Sequence, residues 1–200
     1  MFCVTAAAAT GQSHTSTKKT ATLPGRSECV ENVGLCVTVP AAWQRLGNVF
    51  DDMGFVVAEP HPGTDSATWP QLNVAIIDVP AQKNGAAVSL DSLVERVLAP
   101  NGASSTAETQ QRTRLLLNGA NAQILRVKLR DEAQQAETIE QVALIEGEDG
   151  LVYSVALRCA PQEFDRLDPV FQKAVHSWRI KPVTPKPAAS NPTSQDSKKK

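Results

Sequence analysis

Alternation of apolar and polar side chains is clearest between Leu151 and Cys159. Apolar residues recur at every second position there, while Ser154 and Arg158 point to the other side. This period of two predicts a β-strand with one buried face. Pro161 then ends the strand, because proline lacks the N–H that a continuing ladder requires.

After this strand the apolar spacing changes to steps of three and four, which predicts one stripe of a helix. The stripe consists of Phe164, Leu167, Phe171, Ala174 and Trp178. Asp168 followed by Pro169 resembles an N-cap and a first-turn proline, so the regular helix is expected to begin there after a looser turn. A terminal helix with aromatic residues in its stripe requires a sheet to lie on.

The rest of the chain supplies that sheet. Alternating or β-branched segments predict further strands at 35–39, 55–59, 72–79, 114–117, 122–129 and 139–145. Ser89 is the expected cap of a helix whose apolar stripe runs from Leu90 to Leu98, and Asn118-Gly119 predicts a hairpin turn. The order predicts an α+β domain, a mostly antiparallel sheet of about six or seven strands flanked by helices.

Composition divides the 200 residues into three parts. Residues 1–28 are rich in Ala, Thr, Ser and Lys without periodicity, which predicts a flexible leader. Residues 29–180 are expected to form the folded domain, and the proline- and lysine-rich residues 181–200 a disordered tail. The formal charge of −1 combines +2 on the leader, +4 on the tail and −7 on the domain. An acidic domain argues against nucleic acid as its main partner.

Motifs for catalysis, cofactors or metals are missing from the sequence. It contains no Gly-x-Ser-x-Gly, no glycine-rich phosphate loop before a helix, and no Cys-x-x-Cys or His-x-x-x-His pair. The three histidines, His14, His61 and His176, are far apart. Acidic residues in the predicted turn 146–149 have oxygen ligands for a hard cation, but acidic turns are usually only solvated. We therefore expect no catalytic, cofactor-binding or metal-binding residues.

The cysteines indicate more about the compartment. Cys29 and Cys36 flank Asn32-Val33, and if those two residues form a tight turn, a cross-strand disulfide can form. Cys159 falls on the apolar face of its strand and suits a buried thiol or a bridge to the first strand. Four cysteines allow three full connectivities, and the alternative is four reduced thiols in a cytosolic protein. A disulfide favours an oxidising compartment.

The N-terminal residues bear on export. They lack the basic segment of a secretory signal, and no apolar run approaches the ~18 residues of a membrane span. Cys3 precedes a stretch rich in Ala, Thr and Ser, which is typical of mature bacterial lipoproteins, although the lipobox before that cysteine is missing. Lipid attachment at Cys3 is therefore a hypothesis. Membrane contact is expected only through such an anchor or through the basic tail.

Two tryptophans are candidates for partner binding. Trp43 follows the proline that closes the first predicted strand, and Trp69 lies in the loop before the third. Both are expected to pack in the core or at its rim. If both are exposed together, they form a patch for a protein partner, because tryptophans are typical of binding hot spots.

Several segments, in this order, resemble PsbP-like domains. They are the apolar strand with Pro40-Ala41-Ala42-Trp43, Asn118-Gly119-Ala120, the late strand at 150–155, and the closing Ser177-Trp178-Arg179-Ile180. The resemblance spans about residues 33–180, and its DcrB-like and LpqN-like branch fits best. The superfamily also includes photosystem PsbP proteins, a nuclear-import Ran-binding factor and chaperones of type VI secretion effectors. The resemblance implies an α/β/α sandwich, and binding or assembly rather than catalysis.

Three functions are considered. The first is a non-enzymatic binding or assembly module of the bacterial cell envelope, exported or lipid-anchored, that binds a protein partner. The second is a cytosolic chaperone that covers an apolar segment of a secreted type VI effector. The third is an enzyme, which a pocket with buried, charge-coupled titratable groups would favour. The expected location is the periplasm or cell envelope, with the cytoplasm as the alternative.

Overall fold

A computed structural model describes residues 24–49, 51–77, 89–98, 105–131, 136–147 and 150–182. The elements within these ranges are β1 (Gly25–Val30), β2 (Leu35–Pro40), β3 (Gln44–Val49), β4 (Gly54–Ala58), β5 (Gln71–Ile77), α1 (Leu90–Leu98), β6 (Ser105–Leu117), β7 (Ala120–Asp131), β8 (Ala136–Glu146), β9 (Val152–Cys159), α2 (Phe164–His176) and β10 (Arg179–Ile180). Seven strands form one antiparallel sheet in the order β3-β4-β5-β9-β8-β7-β6, and β1-β2-β10 form a second. The predicted α+β class and antiparallel sheet are confirmed.

Helices cover both faces of the large sheet. On β9, Tyr153, Val155 and Leu157 pack in the same core as α2 and the small sheet. Val152 and Ala156 point the other way, into a second core formed with α1. The period of two therefore separates two buried faces, and the layers are α1, the large sheet, and α2 beside the small sheet. Neither described helix is long and apolar enough to cross a membrane.

The small sheet is built around β2, which pairs antiparallel with β1 on one side and β10 on the other. Gly34 turns the chain into β2 with a φ of 70°. A Cβ at this position would collide with the carbonyl oxygen of Lys181, whose N–H donates to the Gly34 carbonyl at 2.9 Å. Glycine is thus required both for the left-handed backbone and for the close approach of the chain that follows β10.

Hairpin turns join neighbouring strands of the large sheet. Asn118 and Gly119 connect β6 to β7 with φ values of 51° and 88°. Positive φ at both central residues is the property of the type I′ hairpin that Asn-Gly predicts, so this turn is confirmed. Asp51 and Asp52, between β3 and β4, also have positive φ values of 51° and 65°. Aspartate tolerates this region better than most residues because its short side chain bonds locally.

Three boundaries differ from the sequence prediction. β1 begins at Gly25, inside the segment expected to be a leader, because it pairs with β2 from Gly25↔Pro40 onward. β3 lies at Gln44–Val49, where a loop was expected. β6 spans Ser105–Leu117, of which only the last four residues were predicted as a strand. Both β3 and β6 are edge strands with mostly exposed side chains, and such strands lack the hydrophobic alternation on which the prediction depends.

Helix α2 begins at Phe164, four residues before the predicted start at Asp168, so that prediction is wrong. Phe164 and Leu167 are buried, and their packing fixes the first turn. Pro169 therefore lies inside the helix, where its missing N–H removes one helical hydrogen bond. The Asp168 carboxylate does not cap the helix but accepts a 3.1 Å hydrogen bond from the side chain of Gln141, which is buried in β8.

Candidate functional site

A cleft of about 740 Å³ opens between one end of the large sheet and the strand β10. One wall is the β6–β7 turn, residues 118–121. The opposite wall is the segment 178–180, which leaves α2 and becomes β10. Glu146 and Gly147 border the cleft at the end of β8, and Tyr153 of β9 contributes to its lining. We call this feature the β10 cleft.

Aromatic rings form the apolar part of the β10 cleft. The rings of Tyr153 and Trp178 lie with centroids 5.9 Å apart and planes tilted by 33°. Both side chains are buried, with Trp178 only 8% exposed. The indole Nε1 of Trp178 has no hydrogen-bond partner, and it is alone in this among the buried side-chain nitrogens and oxygens of the described residues. A buried donor without a partner costs about 1–3 kcal/mol.

Local hydrogen bonds hold the wall at 178–180 in place. The hydroxyl of Ser177 donates to the carbonyl of Ala174 at 3.0 Å and accepts from the backbone N–H of Thr38 at 2.7 Å. The chain thereby leaves α2 directly alongside β2. Across the cleft, the side-chain amide of Asn118 donates to the carbonyl of Trp178 at 3.0 Å. The β6–β7 turn and the C-terminal wall are thus fixed relative to each other.

The polar rim of the cleft carries the carboxylate of Glu146. The carboxylate of Glu146 accepts a 2.8 Å hydrogen bond from the Asn121 side chain. Among the described residues no Lys, Arg or His forms an ion pair with Glu146. The guanidinium of Arg179, which also lines the cleft, donates to the hydroxyl of Ser27 on β1 at 3.0 Å. The lining therefore suits an apolar group together with hydrogen-bonding or positively charged groups.

Cys29 and Cys36 lie opposite each other on β1 and β2 and are joined by a disulfide. Their Cα atoms are 4.1 Å apart, because the pair faces across the two strands. Cys159, at the end of β9, is a free and buried cysteine. Burial raises the pKa of its thiol to about 11, with a further contribution from the nearby Glu163 carboxylate. A thiol that stays protonated near neutral pH is a poor nucleophile.

Trp43 packs in the core, as expected, and Trp69 is partly buried, so the joint exposure that a partner patch of these two rings requires is not met. Trp43 is 3% exposed and belongs to the core, because its N–H donates to the Pro40 carbonyl at 3.1 Å and the turn folds the ring inward. Trp69 is partly buried, and its indole N–H donates to the hydroxyl of Thr64 at 2.9 Å. A large exposed surface shared by the two rings is therefore absent.

A second polar cluster joins α2 to the loop after β4. Arg166 donates to both carboxylate oxygens of Glu59, at 2.9 and 2.7 Å, and to Glu163 at 3.0 Å. The hydrogen bond from Arg166 lowers the pKa of Glu59, and the same bond raises the pKa of Arg166. Glu59, His61 and Glu163 place one donor atom each within 4.8 Å of one another, so together they could ligate a cation. Arg166 already donates to both carboxylates, and a metal would have to displace it.

Asp91 forms a third polar cluster, at the start of α1. Its carboxylate accepts from Arg112 at 2.6 Å, Arg114 at 2.7 Å and the Gln123 side chain at 2.8 Å. The hydrogen bond from Gln123, followed by that from Arg114, lowers the pKa of Asp91. These contacts tie α1 to β6 and β7. They have the character of a structural clamp, since every polar group in the cluster is paired.

The remaining sequence candidates are either outside the described residues or elsewhere on the surface. Cys3 and His14 lie outside the described residues, as do two acidic residues of the turn 146–149. His176 is exposed on α2. His61 belongs to the Arg166 cluster described above.

Sequence reasoning missed the cleft, although it singled out two of its parts. The Asn118-Gly119 turn and Trp178 were each identified, but they are 60 positions apart in the chain. Their contact depends on the strand order, which brings the β6–β7 turn beside the end of α2. The predicted helix stripe included Trp178, which is wrong because α2 ends at His176 and Trp178 lies between it and β10. The burial implied by that stripe is still the one signal that could have indicated the aromatic lining of the cleft.

Comparisons with known proteins identify the fold. No protein-family model matches the sequence, and no curated protein sequence matches it significantly. The solution structure of cyanobacterial PsbP (CyanoP) from Synechocystis sp. PCC 6803 superposes with a TM-score of 0.55 at 12% identity, covering 83% of this chain and 98% of that one. The Ran-binding protein Mog1p of Saccharomyces cerevisiae gives a TM-score of 0.54 at 13% identity, covering 80% of this chain and 96% of that one.

LpqN of Mycobacterium tuberculosis, described as involved in cell envelope biogenesis, aligns at 15% identity with a TM-score of 0.48, covering 80% of this chain and 86% of that one. Identities this low concern the fold alone. The strand order, the burial of both sheet faces and the superpositions on CyanoP and Mog1p all agree with the fold that the sequence resemblance implied. The chain has the α/β/α fold of PsbP-like proteins.

Proposed function

We propose that this protein is a non-catalytic, protein-binding module of the bacterial cell envelope, and that the β10 cleft is its binding surface. The observation that carries the proposal is the cleft itself. It combines the rings of Tyr153 and Trp178 with the carboxylate of Glu146, which forms no ion pair among the described residues. Such a mixture of apolar surface and few polar groups is typical of binding sites.

The polar clusters elsewhere support binding over catalysis. The Arg166 and Asp91 clusters each join a helix to neighbouring strands or loops through paired charges. In both clusters the carboxylates are bonded to guanidinium groups, which is typical of structural ion pairs. The Ran-binding protein Mog1p has a similar fold. From that similarity we infer only protein binding as a general function for this chain.

The envelope assignment is supported by the disulfide between Cys29 and Cys36. Disulfides form and persist in oxidising compartments and are rare in the bacterial cytosol. Export, or lipid attachment at Cys3, would bring the domain to such a compartment. The cytosolic chaperone of a type VI effector is the alternative that this argument disfavours.

Site-specific photo-crosslinking in the native cell tests the binding surface. A photoreactive amino acid would replace Asn121 or Ile180 at the cleft, with Gln44 and Glu108 on the exposed edge strands as matched controls. We expect a discrete adduct from the cleft positions and none from the controls. Adducts confined to the control positions would contradict the assignment of the cleft.

Intact mass of the protein from its native cell tests the compartment. We expect an oxidised chain two hydrogens lighter than its reduced form, together with a processed or lipid-bearing N-terminus. An unprocessed chain with free thiols would refute the envelope assignment and favour the cytosolic chaperone.

A further inference from the structure

Strand β10 leaves one residue with an open backbone edge. In an antiparallel pair, successive residues direct their N–H and C=O alternately toward the partner and away from it. The N–H of Lys181 donates to the Gly34 carbonyl on the β2 side. Arg179, two positions earlier and opposite Cys36, therefore also faces β2. Ile180 between them must direct its N–H and C=O to the outer side.

The outer side of β10 is the side of the cleft. Trp178 is two positions before Ile180, so its carbonyl also faces the outer side of the strand. This carbonyl accepts the hydrogen bond from the side-chain amide of Asn118, which belongs to the other wall of the cleft. Asn118 thus caps one outward group of this edge. Among the described residues, neither the N–H nor the C=O of Ile180 has a partner, since β10 pairs with β2 alone. The cleft wall is therefore a short, unoccupied strand edge.

The surroundings of this edge select the side chains of an added strand. Ile180 is 46% exposed, and the Trp178 and Tyr153 rings lie in the same cleft, so an apolar side chain would find cover there. Glu146 adds a carboxylate that forms no ion pair among the described residues. Residues 29–180 carry a net charge of −7, because the chain total of −1 includes +2 on 1–28 and +4 on 181–200. The carboxylate of Glu146 and the net negative charge of residues 29–180 both favour a basic ligand.

We propose that the β10 cleft takes an extended, basic segment of a partner protein, which adds as a strand to β10 by pairing with the backbone of Ile180. Strand addition combines main-chain hydrogen bonds with side-chain pockets in this way. An apolar residue of the segment lies against Trp178, and a Lys or Arg reaches Glu146. This inference rests on the proposed function, because it names the kind of partner that the same cleft binds.

The chain's own tail is the competing occupant, because residues 181–200 are also basic. Its composition is unfavourable for a strand, since Pro185, Pro187 and Pro192 lack the N–H that a ladder requires. The tail also starts directly at β10, so it would have to reverse within a few residues to pair with Ile180. We therefore assign the cleft to a partner segment.

A phage-displayed library of random dodecapeptides, selected on the full, disulfide-intact chain, supplies the probe. We expect selected peptides with a Lys or Arg near an apolar residue. Each selected peptide is then made with a single N-methyl group at every position in turn. Because only Ile180 offers its backbone, one peptide position should lose about tenfold in affinity, while N-methylation at its two neighbours is tolerated. Equal tolerance at every position would overturn strand addition.

Protein variants provide an independent check. Ile180→Pro removes the outward N–H without touching the bonds to β2, and Ile180→Val retains it as the matched control. We expect Ile180→Pro to bind about tenfold more weakly than Ile180→Val at an unchanged melting temperature. Glu146→Gln should weaken binding about threefold, whereas Glu108→Gln, far along β6, should leave it unchanged. Equal affinity of the two Ile180 variants would overturn the proposal.

The outcomes separate this inference from the proposed function. Peptides that crosslink at Asn121 but tolerate all N-methyl groups would leave cleft binding intact and overturn the strand mode. Crosslinked adducts only at Gln44 or Glu108 would overturn the proposal that the β10 cleft is the binding surface. Binding that appears only after deletion of 183–200 would assign the edge to the chain's own tail and overturn the partner segment.

Discussion

Reduction of the Cys29–Cys36 disulfide should destabilise the domain measurably. The bond joins two neighbouring strands and closes a short loop, with the cysteines seven positions apart. Chain-entropy reasoning for a loop of this length gives about 2.4 kcal/mol of stabilisation at 25 °C, since the cross-link restricts the unfolded chain. For a domain of this size, about 2.4 kcal/mol corresponds to a fall of roughly 5–10 °C in melting temperature.

Thermal denaturation followed by circular dichroism, with and without a phosphine reductant, is the assay. Intact mass would verify that the bond is open before each melt. The double variant Cys29→Ala/Cys36→Ala is the control, because its melting temperature should not respond to reductant. Cys159 is reduced and buried in both forms, so it does not contribute to the difference.

Hydrogen exchange adds a local readout to the same experiment. The N–H groups of Arg179 and Lys181 face β2, so their exchange should accelerate on reduction if the disulfide holds β2 in position. A fully reduced protein that melts within about 1 °C of the oxidised one would refute the reasoning, because the loop-closure contribution would then be missing.

Other perturbations test other parts of the structure. Arg166→Ala should lower the free energy of unfolding by about 1 kcal/mol near neutral pH, as measured by urea denaturation at a series of pH values. Because Arg166 lowers the pKa of Glu59 below its ordinary 4.5, the stability from this pair is present above that value and lost as pH falls further, and the variant should lack this acid-dependent loss. Gly34→Ala should destabilise the domain by at least about 2 kcal/mol more than Gly119→Ala in urea titrations, since both have positive φ but only Gly34 would clash with backbone. Trp178→Phe should change stability by less than about 1 kcal/mol, because it removes a buried donor without a partner as well as ring volume, and a larger loss would indicate that the indole N–H is satisfied.

Local sequence signals predicted the elements whose side chains alternate or repeat. β9 is confirmed as a strand, but the prediction of one buried face is wrong, because Val152 and Ala156 on its other face pack in the core formed with α1. The Asn118-Gly119 turn is confirmed because few other residue pairs tolerate positive φ twice. Edge strands were predicted poorly because their exposed side chains show no such alternation. β3 has no buried side chain and most of β6 is exposed, so their backbones are ordered by pairing with neighbours that the local pattern does not reveal.

Tertiary packing overrode local preference at the start of α2. The Asp168-Pro169 pair favours a helix start, yet the burial of Phe164 and Leu167 begins the helix one turn earlier. Burial of a Phe side chain stabilises the fold by roughly 2–3 kcal/mol, which exceeds the ~1 kcal/mol that a helix N-cap contributes. Trp43, in contrast, lies in the core, as its position after Pro40 led us to expect.

The disulfide and the proposed strand edge meet at one residue. The side chain of Cys36 is bonded to Cys29 on β1, and its backbone pairs with Arg179 on β10. β2 therefore transmits the constraint of the covalent bond to the wall of the cleft. If the chain reaches an oxidising compartment, the bond closes and the edge at Ile180 is held in the extended form that strand addition needs, at no entropy cost on binding. In a reducing compartment the same edge would have to be ordered by the partner, so affinity for an extended peptide should fall with the disulfide.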